Sequence, residues 1–173
     1  KKKKKKKKKK ANSMNRSNLK KYLRQRKLIL SGWTSIGHLQ NSELLLSSNI
    51  DCLGIDMEHS TITQEQALNI ISACNSQNKS CLPRVASHNA ESIKRLLDSG
   101  ADGIIVPNVE SAGDINNIIS WVKYPKIGGR GYGIARAQKY GHSFDEYVKK
   151  WNKESIIIIQ IESIEAVKNL PSI

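Results

Sequence analysis

The chain has 173 residues and a formal net charge of +14 at pH 7, with 29 Lys and Arg against 15 Asp and Glu. Ten of the lysines form one unbroken run, Lys1 to Lys10, which repels itself and joins no packed core; set aside as foreign to the fold, it leaves 19 basic residues against 15 acidic ones, a net of +4. That balance removes the charge case for a nucleic-acid partner, three cysteines without C-x-x-C spacing argue against a disulfide framework or a zinc site, and no apolar run is long enough to span a membrane.

Residues 11–27 read as a leading helix, whose basic stretch NLKKYLRQRKL, Asn18 to Leu28, is a solvated face. From Leu28 to the end the chain repeats strand, loop and helix. Runs rich in Ile, Val and Leu occur at LILSGWTSIG (Leu28 to Gly37), CLGIDME (Cys52 to Glu58), SCLPRVA (Ser80 to Ala86), DGIIVPNV (Asp102 to Val109) and SIIIIQIE (Ser155 to Glu162). Between them NSELLLSS, TQEQALNIISACNS, NAESIKRLLDSG and SAGDINNIISWV carry the i, i+3, i+4, i+7 apolar spacing of amphipathic helices. Thr63 with Gln66, Ser111 with Asp114, and Asn89 are predicted N-terminal caps, and Gly100 a C-terminal glycine.

Strands apolar at nearly every position, alternating with helices, fit a parallel sheet covered on both faces. An open doubly wound sheet would carry a glycine-rich first turn, and GWTSIG is not G-x-G-x-x-G. A (β/α)8 barrel instead collects its chemistry at the C-terminal ends of several strands. That is where this sequence has Asp56, Glu58 and His59, then Arg84, then Pro107 and Asn108, then Gln160 and Glu162. Alternation along GIDMEH puts Asp56 and Glu58 on one side and Met57 on the other. An aspartate beside a histidine can fix the imidazole tautomer.

GIDMEHS, LPRVA, IKRLLDSGADGIIVPNVES, GGRGYG and IIQIESIEAVKNL, in that order, resemble the HpcH/HpaI aldolase family from about Leu28 to Ile173. The resemblance implies a (β/α)8 TIM barrel and a divalent cation, Mg2+ or Mn2+ with Co2+ admissible. It also implies cleavage of a 4-hydroxy-2-oxo acid to pyruvate, or an analogue, plus an aldehyde. By the same resemblance His59 is the catalytic base, acting with a metal-bound water, and Asp56 is its carboxylate partner. Arg84 holds the pyruvyl oxygens, Gln160 lines the pocket, and Glu162 is the first metal ligand. The relatives' second metal carboxylate lies one strand further on, beyond NLPSI. A barrel of this type takes roughly 250 residues, so residues 28–173 correspond to about the first six βα units. Small 2-oxo acids and aldehydes are the expected partners, with no nucleic acid or membrane, a homo-oligomer (a hexamer in full-length relatives) and a reducing, cytoplasmic setting.

Two other functions stay open: a thioester lyase of the citrate lyase β-subunit or malyl-CoA lyase type, and a truncated barrel whose open edges mediate association. Blander roles are also expected for single residues. Arg84 can pair with Glu58. The loop GGRGYG, Gly128 to Gly133, is expected near the barrel mouth with Arg130 and Tyr132 facing a pocket. His38 and His88 are read as solvent-facing loop residues. Trp33, Trp121 and Trp151 are read as core or interface, and Cys52, Cys74 and Cys81 as small apolar fillers.

Overall fold

The computed structural model describes residues 16–173, so the lysine run and residues 11–15 of the expected leading helix lie outside the described residues. A 3-10 turn, Arg16–Asn18, leads into α1 (Leu19–Arg24), β1 (Ser31–Thr34), α2 (Leu39–Ser47), β2 (Cys52–Asp56), α3 (Gln64–Ser76), β3 (Ser80–Arg84) and α4 (Ala90–Asp98). There follow β4 (Gly103–Val106), α5 (Ala112–Val122), a 3-10 turn at Arg136–Gln138, α6 (Phe144–Glu154), β5 (Ile156–Ile159) and α7 (Ile164–Asn169). The predicted caps form: Thr63 with Gln66 and Ser111 with Asp114 make capping boxes, and the Asn89 side chain accepts the Ser92 N–H. Gly100 closes α4 at φ +102, a conformation that costs a glycine least.

The five strands are parallel and lie in the order β1-β2-β3-β4-β5. A doubly wound sheet reverses direction at a switch point. Unbroken sequential order, with a helix after every strand, is instead the wall of a (β/α)8 barrel. Against an expectation of about six βα units, the described residues hold six helices, α2–α7, but five strands, because α6 has no strand before it. Among the described residues no helix is long and apolar enough to cross a membrane.

Strand alternation gives the sheet two apolar faces. Leu53, Ile55, Cys81, Ile104 and Val106 pack against Ile70, Ile71, Ile93, Leu96, Leu97 and Ile118 of the helices. On the opposite, inner face Cys52, Leu82 and Ile156 join Leu19 of α1, flanked by Ile105 and Ile158. Each such buried aliphatic side chain contributes about 1.5–3 kcal/mol. Two glycines permit the closest approaches in the sheet. A Cβ on Gly103 would lie 2.0 Å from the Ile156 carbonyl oxygen, and one on Gly54 would lie 2.3 Å from the Trp33 ring.

α1 seals the inner face at the N-terminal ends of the strands. Arg16 Nε pairs with Asp102 at 2.6 Å, and Lys20 Nζ donates to the Ser155 carbonyl at 2.7 Å. The loop holding Arg130 belongs to this end too, not to the expected mouth. Arg130 is 2% exposed; it pairs with Asp98 at the end of α4 at 2.6 Å and lies 4.8 Å and 5.0 Å from the Tyr124 and Trp151 ring centres. Tyr132 stacks on Tyr124 at 4.8 Å. A guanidinium between aromatic faces can be buried with a single carboxylate partner because the rings' negative faces attract it.

Lys123 is also buried there. Its Nζ donates to the Asn152 carbonyl at 2.8 Å and to the Ser155 hydroxyl. Burial, reinforced by the nearby charge of Lys20, lowers its pKa from 10.5 to about 8. Between those values the folded chain has released a proton that the unfolded chain still binds, so this group's contribution to stability rises with pH across that window. Thermal unfolding of Lys123→Met is therefore expected to show its greatest advantage over the wild type at pH 7, shrinking as pH approaches 10.5; an advantage independent of pH would contradict this.

Candidate active site

β2 is buried along its whole length and ends at Asp56, which stands in register with Arg84 at the end of β3. The Met57 N–H donates to the Arg84 carbonyl at 3.0 Å and extends the ladder by one bond. The chain then turns back on the aspartate. Asp56 Oδ1 accepts the N–H groups of Glu58 (3.1 Å) and His59 (3.0 Å), and the Ser60 hydroxyl donates to the Asp56 carbonyl. This is the local turn that aspartate favours, and it folds the acidic and imidazole side chains toward the strand ends.

Arg84 meets the same carboxylate with two parallel bonds, Nε to Oδ1 at 3.1 Å and Nη2 to Oδ2 at 2.7 Å. The two side chains are 7% and 12% exposed. Burial alone would raise the Asp56 carboxyl; the Arg84 hydrogen bonds and charge, with the two amides, outweigh it and hold the carboxyl below its usual value. The hydrogen bond to Asp56 correspondingly raises Arg84 against the opposing cost of burial, and the charges of Asp56, Glu58 and Glu162 add to it. The Trp33 indole lies 5.2 Å from the guanidinium on the inner face.

The expected pairing of Asp56 with the His59 imidazole is not formed, since Asp56 reaches His59 only through its main-chain amide. The ring's nearest acid is Glu58, with Oε1 3.8 Å from Nε2, and the imidazole is 74% exposed. Glu58 Oε2 lies 3.1 Å from Arg84 Nη1, as the expected Arg84–Glu58 pair requires, although the contact lacks the alignment of a hydrogen bond.

Across the sheet, Gln160 follows β5 and Glu162 lies two residues beyond. Gln160 Nε2 donates to Glu162 Oε1 at 3.1 Å, while Glu162 Oε2 accepts the Asn108 N–H at 2.8 Å. Asn108 sits at φ +52, a left-handed conformation that asparagine tolerates better than most residues. Gln160 Oε1 is buried without a partner. That orphaned oxygen beside the Glu162 carboxylate fits one corner of a hard-cation site. Among the described residues no group of three or more His, Cys, Asp or Glu could hold a metal ion.

The remaining histidines have structural partners or none. His38 caps α2 by accepting the Gln40 N–H, and His88 Nε2 bonds the Pro107 carbonyl at 2.7 Å. The contact of Trp33 with Arg84 goes beyond the core or interface role expected for it. Its signal was Gly54, a residue without a side chain inside an apolar strand and in register with a tryptophan.

The HpcH/HpaI aldolase/citrate lyase family profile matches residues 39–173. The 4-hydroxy-2-oxovalerate aldolase of Novosphingobium aromaticivorans is 33% identical over 163 residues, 91% of this chain and 60% of that protein. The 4-hydroxy-2-oxo-heptane-1,7-dioate aldolase of Escherichia coli is 32% identical over 143 residues, 82% of this chain and 54% of that one. Among solved structures, an HpcH/HpaI aldolase/citrate lyase family protein from Burkholderia cenocepacia superposes with a TM-score of 0.83 at 28% identity, covering 89% of this chain and 63% of that one. The chain thus spans little more than half the length of these curated relatives.

Removing one charge of a buried pair leaves the other uncompensated. Asp56→Asn is expected to lower stability by about 3 kcal/mol, the low end of the range for such changes, because Glu58 remains beside Arg84. The urea midpoint should fall with little change of slope. The Asp56 carboxyl is held below 3.8, so its stabilisation is present above that pH and is lost as pH falls through the folded-state value. The difference between wild type and variant should narrow in acid, and a gap constant down to pH 2 would contradict the assignment.

Proposed function

Because the chain belongs to the HpcH/HpaI aldolase/citrate lyase family, we propose that it carries the β1–β5 part of a class II aldolase site. Its substrate would be a 4-hydroxy-2-oxo acid, cleaved to pyruvate or an analogue plus an aldehyde. The observation that carries the reading is the convergence of Arg84, Asp56, Glu58 and His59 at the ends of β2 and β3, with Glu162 after β5.

In the proposed reaction His59 takes the proton of the C4 hydroxyl. The C3–C4 bond breaks, the aldehyde departs, and the bonding electrons move onto the 2-oxo group as an enolate, which then takes a proton at C3. A base in this position contributes on the order of 10²–10⁴-fold. The high exposure of the ring leaves it free to reach a substrate lying over the strand ends. Arg84 cannot shed its charge, and the two hydrogen bonds it donates to Asp56 fix the guanidinium plane before substrate arrives. A fixed cation stabilises the enolate oxygen without reorganising. Glu162 and Gln160 would hold a divalent cation, Mg2+ or Mn2+, which when bound supplies Lewis-acid polarisation of the 2-oxo group.

The enzyme is further proposed to act as a homo-oligomer in a reducing compartment. Ile164, Val167 and Leu170 at and after α7 are 78%, 57% and 50% exposed, which supports coverage by further chain or by another copy. Cys52, Cys74 and Cys81 are buried free thiols.

The test is deuterium exchange at the pyruvate methyl group, followed by NMR with Mg2+ or Mn2+ and then with EDTA. It is run on this chain and on one lengthened to the span of its relatives. Cation-dependent exchange in the longer chain, lowered at least 100-fold in His59→Ala with pyruvate binding retained, is expected. Exchange at acetyl-CoA in place of pyruvate would assign a thioester lyase, and exchange at neither would overturn the lyase reading.

A further inference from the structure

One peptide group at the strand ends is held from both sides. β4 ends at Val106, and the residue after it, Pro107, is buried. The Pro107 carbonyl oxygen lies 2.7 Å from Nε2 of His88, in the loop between β3 and α4. A carbonyl only accepts, so Nε2 carries the hydrogen. The other ring nitrogen, Nδ1, is 3.8 Å from Asp114 Oδ1, beyond hydrogen-bond reach, and the bond to Pro107 is the one that places the ring. On the far side of the same peptide, the Asn108 N–H donates to Glu162 Oε2 at 2.8 Å. The C=O and N–H of a trans peptide point in opposite directions within one plane. A donor that fixes the Pro107 carbonyl therefore also aims the Asn108 N–H. The aim matters because Asn108 sits at φ +52. Turning the peptide over would return Asn108 to the negative φ that a side chain prefers, and would face the Glu162 carboxylate with a carbonyl oxygen in place of a donor. The need to satisfy a buried carbonyl accounts for a donor at Pro107. It does not account for a left-handed residue directly after it whose N–H is spent on a carboxylate.

The geometry points to His88 as a positioning residue: through the Pro107–Asn108 peptide it aims the N–H that holds Glu162 Oε2, and so sets that carboxylate for a divalent cation. The inference rests on the proposed function for the role of Glu162 as a cation ligand. Gln160 Nε2 holds the other oxygen, Oε1, at 3.1 Å. Both oxygens are thus oriented before a cation arrives, and groups that orient ligands in this way tune cation affinity. The same link ties the loop that leaves Arg84 to the segment that follows β5.

The test compares the wild type with His88→Ala and His88→Gln, in this chain without metal and in the lengthened chain with Mn2+. In the shorter chain, 1H–15N correlation follows the Asn108 amide. Its proton signal is expected to move upfield in Glu162→Ala, which removes the acceptor, and in the same direction in His88→Ala. His88→Gln keeps an N–H donor at similar reach and should stay near the wild type. In the lengthened chain the Mn2+ dissociation constant, read from the EPR signal of the free ion, is expected to rise about 10-fold in His88→Ala, the low end of the range for groups that orient metal ligands. His88→Gln should recover it. An Asn108 amide unmoved in His88→Ala, or an unchanged Mn2+ affinity, overturns the proposal even where the melting temperature falls, since a merely structural histidine would lower stability alone. Should His88→Ala fail to fold, the wild type and His88→Gln decide. A neutral His88 ring with its hydrogen on Nδ1 overturns the proposal; a hydrogen on Nε2, with wild-type Mn2+ affinity in His88→Gln, supports it. A lengthened wild type that binds no Mn2+ would count against the proposed function, while the Asn108 signal would still decide whether His88 sets the peptide.

Discussion

A carboxylate at the end of a strand that is buried along its whole length has to be met by donors, and the way Asp56 is met organises this end of the sheet. Its Oδ1 gathers two main-chain amides from the following turn and one guanidinium N–H, and its Oδ2 takes another. The register that aligns Asp56 with Arg84 is the same one that packs Leu53 and Ile55 against the helices. A slip of one residue would turn Asp56 into the helix-facing core and Ile55 toward the inner face. Sheet register and site geometry are thus one constraint.

The strands were legible because each is an apolar run too short for a helix and closed by polar residues, and the caps were legible because a side chain satisfying a helix's free N–H groups works within four residues. What depended on distant partners was not. The sequence around Arg130 suggests a flexible glycine loop, yet its guanidinium is buried against rings supplied by Tyr124 and Trp151. The imidazole of His59 reads as the partner of the aspartate three residues before it. That aspartate is already taken by an arginine 28 residues downstream, a competition no local pattern records. The meeting of Asp56 and Glu58 on one side was legible from strand alternation; that both would meet Arg84 was readable only in part, through the expected Arg84–Glu58 pair.

Among the described residues β1 and β5 each have a single neighbour in the sheet. The inner face between them is lined by Trp33, Arg84, Ile105 and Ile158, and Trp33 is 44% exposed. Unpaired strand edges beside an apolar face are where further strands of a barrel, or another chain, can add. The proposed chemistry and any such addition would therefore share one surface, since Arg84 and the edge strands bound the same inner face.

The floor that α1 lays under this sheet has a consequence for the order in which the chain can assemble. Arg16 is fastened to Asp102 across 86 residues and Lys20 to Ser155 across 135. During synthesis α1 cannot complete its docking until β5 is about to follow. Doubling such a separation adds only about 0.6 kcal/mol of closure entropy, so the delay is set by translation more than by thermodynamics. Until Ser155 appears, Leu19 has no finished seat and the inner face made by β1 to β4 stands without its floor at the end away from Asp56 and Arg84.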